Sequence, residues 1–207
     1  MPGDLVEAWV DGYLVDIIRG SRLIEIQTSN FSSIKDKVKD LILRHQVRIV
    51  HPVAEKKWIV RLNADGERVS RRKSPREGRL EDLFLELVYM PRMPRSSNLS
   101  LEVLLVHSEE VLIDDGKGSW RRKYWSVHDR RLLKVVSQAA FEGPSDFLGL
   151  LPEGLPAEFT TRDLAESSDL RLNIARKMAY TLRHMGTIET VRKRGRSALY
   201  SVAEGVG

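Results

Sequence analysis

The 207-residue chain contains no cysteine. That excludes a disulfide framework and any zinc site built on thiolates, and it suits a reducing, cytoplasmic setting. No apolar run approaches the roughly 20 residues that a membrane-spanning helix needs, so no membrane partner is expected. The first residues lack a basic-then-apolar pattern, so no secretory leader is expected either. The five histidines (His45, His51, His107, His128 and His184) are scattered without the paired spacing of a histidine metal site. No glycine-rich phosphate loop and no nucleotide-cofactor signature is present.

What the chain does contain is charge on an ordinary globular background. Apolar residues make up 42% and charged residues 30%, with a net charge of +5 and a pI near 9.5. A basic balance of this size points to an anionic partner, nucleic acid first.

The N-terminal residues alternate as three short strands. Leu5 to Val10, Tyr13 to Ile18 and Leu23 to Thr28 are separated by the turn dipeptides Asp11-Gly12 and Gly20-Ser21. Ser29-Asn30 offers a helix cap before Phe31, Ile34, Val38, Leu41 and Ile42, which recur at helical spacing. Val47 to Val50 reads as a buried strand ended by His51-Pro52. The order is β-β-β-α-β. Further on, Trp58 to Leu62 and Leu99 to Val106 are expected as strands. Leu80 to Val88 and Asp129 to Ala140 are expected as helices. The basic stretch Arg68 to Arg79 is expected as a loop able to line a DNA groove, and Trp120 to Trp125 mixes aromatics with Arg121, Arg122 and Lys123 in the manner of strand-stacking surfaces.

Two carboxylates interrupt the apolar strands: Asp16 in the second and Glu25 in the third. Neighbouring strand carboxylates are what a hard divalent cation needs. Asp16 together with Glu25-Ile26-Gln27, set in this element order, resembles the PD-(D/E)xK, restriction-endonuclease-like family over about residues 5–55. The resemblance implies an α/β (α+β) fold with a βββαβ core and a magnesium-dependent DNA endonuclease, manganese serving as substitute. It implies Asp16, Glu25 and the carbonyl of Ile26 as metal ligands. Gln27 stands where the family has Lys; it can aim a water but cannot supply the cation. Val15 replaces the motif's Pro, and the family's leading helix is missing ahead of the first strand. Glu7 is a further acidic candidate, and Lys35 on the following helix is the expected stand-in for the cation.

The last segment reads as a separate unit. Phe159 to Glu166 starts a short helix at a Thr cap, and Leu170 to Met185 forms a longer one. Its apolar seam is Ala175, Met178, Ala179, Leu182 and Met185, and Gly186 stops it. Ile188 to Arg192 and Ser197 to Val202 pair as strands around a basic tip. This order resembles the winged helix-turn-helix family, which implies double-stranded DNA as partner. The expected outward set on the second helix is Arg171, Asn173, Arg176, Lys177 and Tyr180, with Arg192, Lys193, Arg194 and Arg196 in the wing. The domain reading is therefore 1–142 nuclease-like, 143–158 linker and 159–207 winged helix. Cutting both strands would require a homodimer or two visits. The competing expectation is a nuclease-fold DNA-binding regulator that has lost catalysis with the Lys.

Overall fold

Three strands, a helix and a returning strand organise the beginning of the chain. β1 (Leu5–Val10), β2 (Tyr13–Arg19) and β3 (Arg22–Ile26) pair antiparallel in sequence. Helix α1 (Phe31–Leu41) then carries the chain across, so that β4 (Gln46–Leu62) lies parallel to β3 with Glu25 opposite Ile49. A parallel pair cannot be closed by a tight turn and requires such a crossover. The computed structural model describes residues 3–120, 124–203 and 205.

The remaining elements are β5 (Arg68–Lys73), a 3₁₀ turn running into α2 (Phe84–Leu87), β6 (Leu99–Ile113) and β7 (Ser126–Phe141). After a 3₁₀ segment at Pro144–Leu150 come α3 (Thr161–Ser167), α4 (Leu172–Met185), β8 (Ile188–Arg194) and β9 (Ser197–Val202). The main sheet is mixed, in the order β1-β2-β3-β4-β6-β7, with β5 paired to β4. The fold class is therefore α+β, a large mixed sheet with few helices.

The chain divides into two units. One comprises Met1–His51, Leu80–Val103 and Ala139–Gly207; the other comprises Pro52–Arg79 and Leu104–Gln138. The first unit thus takes in both the three-strand block and residues 159–207, and it encloses fully buried Phe31, Phe84, Phe147 and Phe159 with Leu41, Ile49 and Leu101. Phe147 stacks on Phe141, centroids 4.4 Å apart. The second unit is a sheet, and its buried apolar residues among those described are Val53, Val60, Val106, Val111 and Leu112.

Several expectations need correction. Residues 129–140 are strand β7, not a helix: Leu132, Leu133, Val135 and Val136 occupy helix-like positions but also suit a strand with apolar groups on both faces, and pairing with β6 decides it. Arg68–Lys73 is a strand rather than a loop, and β4 continues through Pro52. The helix expected over 80–88 is one α-helical turn behind a 3₁₀ turn. Asn30 does precede α1, with φ at 61°, but its side chain makes no capping bond. Glu86 caps the helix instead, accepting from the Phe31 N–H at 3.0 Å. Arg121, Arg122 and Lys123 lie outside the described residues.

Candidate functional site

The register of β2 against β3 sets the first candidate site. Ile17 faces Ile24 and Ile18 faces Leu23, and Asp16 and Glu25 are the next residues beyond the Ile17–Ile24 pair. Residues directly opposite in an antiparallel pair project to the same side of the sheet. Asp16 Oδ2 accepts a hydrogen bond from the Ile26 N–H at 2.7 Å. Glu25 is buried at 3% exposure, and the ammonium of Lys37, reaching down from α1, lies 2.6 Å from its Oε1. Lys37 also donates to the Leu14 carbonyl.

Burial pushes the Glu25 carboxyl above its ordinary range, and the Asp16 charge pushes it the same way; Lys37 opposes both. With both carboxylates ionised, one lysine leaves the cluster one negative charge in excess. Two oxygen donors of this kind match the chemistry of a magnesium site, which commonly uses one or two carboxylates and keeps several waters. Among the described residues no group of three or more His, Asp and Glu side chains converges. On β1, Glu7 falls between the pairs Val6–Ile17 and Ala8–Val15, level with Asp16, but its backbone is left-handed (φ 51°) and its side chain exposed.

The lysine beside Glu25 is therefore Lys37, whereas Lys35, expected in that place, is exposed. Gln27 is turned aside: its amide donates to the Ser29 and Asn30 carbonyls. Its own carbonyl sits 2.6 Å from His51 Nδ1. Burial holds that histidine below its usual range, and Phe31 packs edge-on against it at 5.1 Å. Ile26 contributes its N–H to Asp16, while its side chain is exposed.

The second candidate surface is on residues 159–202. Thr160 caps α3 by accepting from the N–H groups of Arg162 and Asp163, while Asp163 accepts back from the Thr160 N–H at 2.8 Å. A single bridge joins Phe159 to Tyr200 of β9. Helix α4 buries Ile174, Ala175, Met178, Ala179, Leu182 and Met185, and ends at Gly186, whose φ of 85° favours glycine. Its open side shows Asn173, Arg176, Tyr180 and Arg183, spaced i, i+3, i+7 and i+10, with Arg171 exposed at the N-cap. Arg183 completes a stripe that the sequence reading left one residue short. Tyr180 packs against His184, ring centroids 4.1 Å apart and planes tilted by 36°.

Lys177 does not join this stripe. Its ammonium donates to the Leu85 carbonyl at 3.2 Å and lies 5.7 Å from the Tyr89 ring, so it docks α4 instead of facing outward. The β8–β9 hairpin is also less free than its composition suggests. Arg192 pairs with Glu158 at 2.6 Å and Arg194 with Asp163 at 3.3 Å. Lys193 and Arg196 are exposed, with no ion-pair partner among the described residues.

The fold and sites thus define a mixed α+β protein with a strand-borne carboxylate pair and a helix-hairpin tail. Residues 1–142 match the family described as Domain of unknown function (DUF8091), and the chain belongs to that family. It is also 32% identical over 200 residues to an uncharacterized protein of Treponema pallidum (strain Nichols), an alignment covering 96% of this chain and 78% of the relative. No solved structure matches it. No helix among the described residues is long and apolar enough to cross a membrane.

Proposed function

We propose that this chain is a metal-dependent DNA endonuclease in which a restriction-endonuclease-like core cuts and a winged helix-turn-helix holds the duplex. The observation that carries the reading is the placing of Asp16 and Glu25 just beyond the last β2–β3 pair, with Asp16 bound to the Ile26 N–H at 2.7 Å and Lys37 2.6 Å from Glu25. In this reading Lys37 takes the place of the lysine that Gln27 displaces from the motif. Magnesium bound by Asp16, Glu25 and the Ile26 carbonyl would supply Lewis-acid activation of water. Asp16 is held in place by the Ile26 N–H, and Glu25 by its burial and its ion pair. The Lys37 ammonium opposes the negative charge that grows on the phosphate oxygens as water attacks phosphorus and the sugar oxygen leaves. On the C-terminal unit, Asn173, Arg176, Tyr180 and Arg183 face the groove, and Lys193 and Arg196 reach phosphate.

Conversion of supercoiled plasmid to nicked circles tests the reading. Activity is expected with magnesium or manganese, and Asp16→Asn, Glu25→Gln and Lys37→Met should each lower it at least a hundredfold. Cleavage that survives Asp16→Asn together with Glu25→Gln overturns the site assignment. A second reading, a non-catalytic DNA-binding regulator, is favoured by a specific feature: Lys37 already balances Glu25, while the Gln27 amide is engaged by neighbouring carbonyls. Salt-sensitive duplex binding without nicking selects it.

A further inference from the structure

We infer that the affinity of this protein for duplex DNA is supplied chiefly by the second unit, Pro52–Arg79 with Leu104–Gln138, acting as a sequence-independent grip on the phosphate backbone. The inference extends the DNA-binding reading to residues outside both sites described above. Its basis is the partition of charge. The second unit holds 16 Lys and Arg against 9 Asp and Glu, a net +7, whereas the first holds 18 against 20. The whole net charge of the chain is therefore carried by the smaller unit, while the unit holding the carboxylate pair and the wing is slightly acidic.

The local arrangement supports the same partner. All six residues of β5 are exposed, including Arg68, Arg71, Arg72 and Lys73. Arg71 and Lys73 are balanced by Glu109 and Glu77 at 2.6 Å each. Among the described residues Arg68 and Arg72 have no ion-pair partner, and neither does Lys134 on the exposed stretch of β7. Cations thus outnumber carboxylates within this unit, and Arg68, Arg72 and Lys134 stand in solvent. A duplex presents about one negative charge per 1.7 Å, the complementary density that releases counterions when Lys and Arg approach. In the wing two of four cations are likewise neutralised, by Glu158 and Asp163, so the difference between the two surfaces lies in the net charge of the units that carry them.

Fluorescence anisotropy of a labelled 30-base-pair duplex, titrated with the full chain from about 50 to 300 mM salt, tests this. The triple variant Arg68→Gln/Arg72→Gln/Lys134→Gln should lower the slope of log affinity against log salt by about 2–3, since each lost phosphate contact removes roughly 0.9. The wing variant Lys193→Gln/Arg196→Gln should lower it by less than 2. All five positions are exposed, and a thermal melt within a degree or two of the wild type confirms the fold of each variant. An unchanged slope in the triple variant, with binding intact, overturns the inference and leaves the DNA-binding reading standing. Failure of the unmodified protein to bind any duplex overturns both.

Discussion

Among the described residues, Lys37 and Glu25 form the one ion pair whose acid partner is almost wholly removed from water, with side-chain exposures of 17% and 4%. Such a pair is costly to break because the surviving charge stays buried. Lys37→Met should destabilise the protein by roughly 3 kcal/mol at neutral pH. The pH dependence follows from the direction of the Glu25 shift. Its carboxyl titrates above the ordinary 4.5 in the folded protein, so the native state holds the proton more tightly than the unfolded chain does. The associated stability is complete below that ordinary value and is lost as pH rises through the raised one. Removing Lys37 deletes the group opposing the shift. Thermal melts of Lys37→Met should therefore fall more steeply with rising pH than those of the parent, above about pH 4.5. Parallel curves would show that the ammonium does not act on Glu25. Added magnesium gives a second handle, since a ligand that binds only the folded state raises its melting temperature. The rise should disappear in Asp16→Asn.

At the scale of elements, helix ends and strand faces separate what holds the fold from what it displays. Thr160 and Asp163 satisfy the first turn of α3 reciprocally, so Thr160→Ala should cost about 1–2 kcal/mol in denaturant unfolding. Hydrogen bonds from Thr160 hold Asp163 below the usual carboxylate range. The stability that this adds is present above that range and is lost on acidification. Phe147→Ala, in a fully buried aromatic stack, should cost about 3–5 kcal/mol, whereas Leu132→Ser on the open part of β7 should stay within about 0.5 kcal/mol. A large loss at Leu132 would mean that β7 is covered in solution. These contrasts also explain what was readable beforehand. The β-β-β-α-β order, the cap at Thr160 and the α4 seam were legible because each rests on local periodicity. β7 was not, because doubled apolar pairs serve a helix face or a two-sided strand equally well. The choice of Lys37 over Lys35 was hidden for a related reason. At 100° per residue the two lysines flank the α1 apolar stripe on opposite sides, each roughly 80° from its centre. Only the crossing of the helix over the sheet decides which one meets Glu25.

For the molecule as a whole, the division into two units implies unequal resistance to opening. The first unit fully buries Phe31, Phe84, Phe147 and Phe159, while the buried apolar residues described in the second are Val53, Val60, Val106, Val111 and Leu112. Hydrophobic burial is the main favourable term in folding, and segments with few buried contacts open locally at lower free energy than the core. Hydrogen exchange followed by mass spectrometry should therefore show peptides from 104–110 and 126–138 losing protection well before those from 23–26 and 172–185. A ligand that grips the second unit stabilises its closed form by mass action. Addition of a saturating duplex should accordingly slow exchange most in those early-opening peptides. Uniform protection along the chain without DNA would mean that the molecule opens as one body. Slowing confined to α4 and the wing would instead locate the duplex on the first unit, despite its acidic balance.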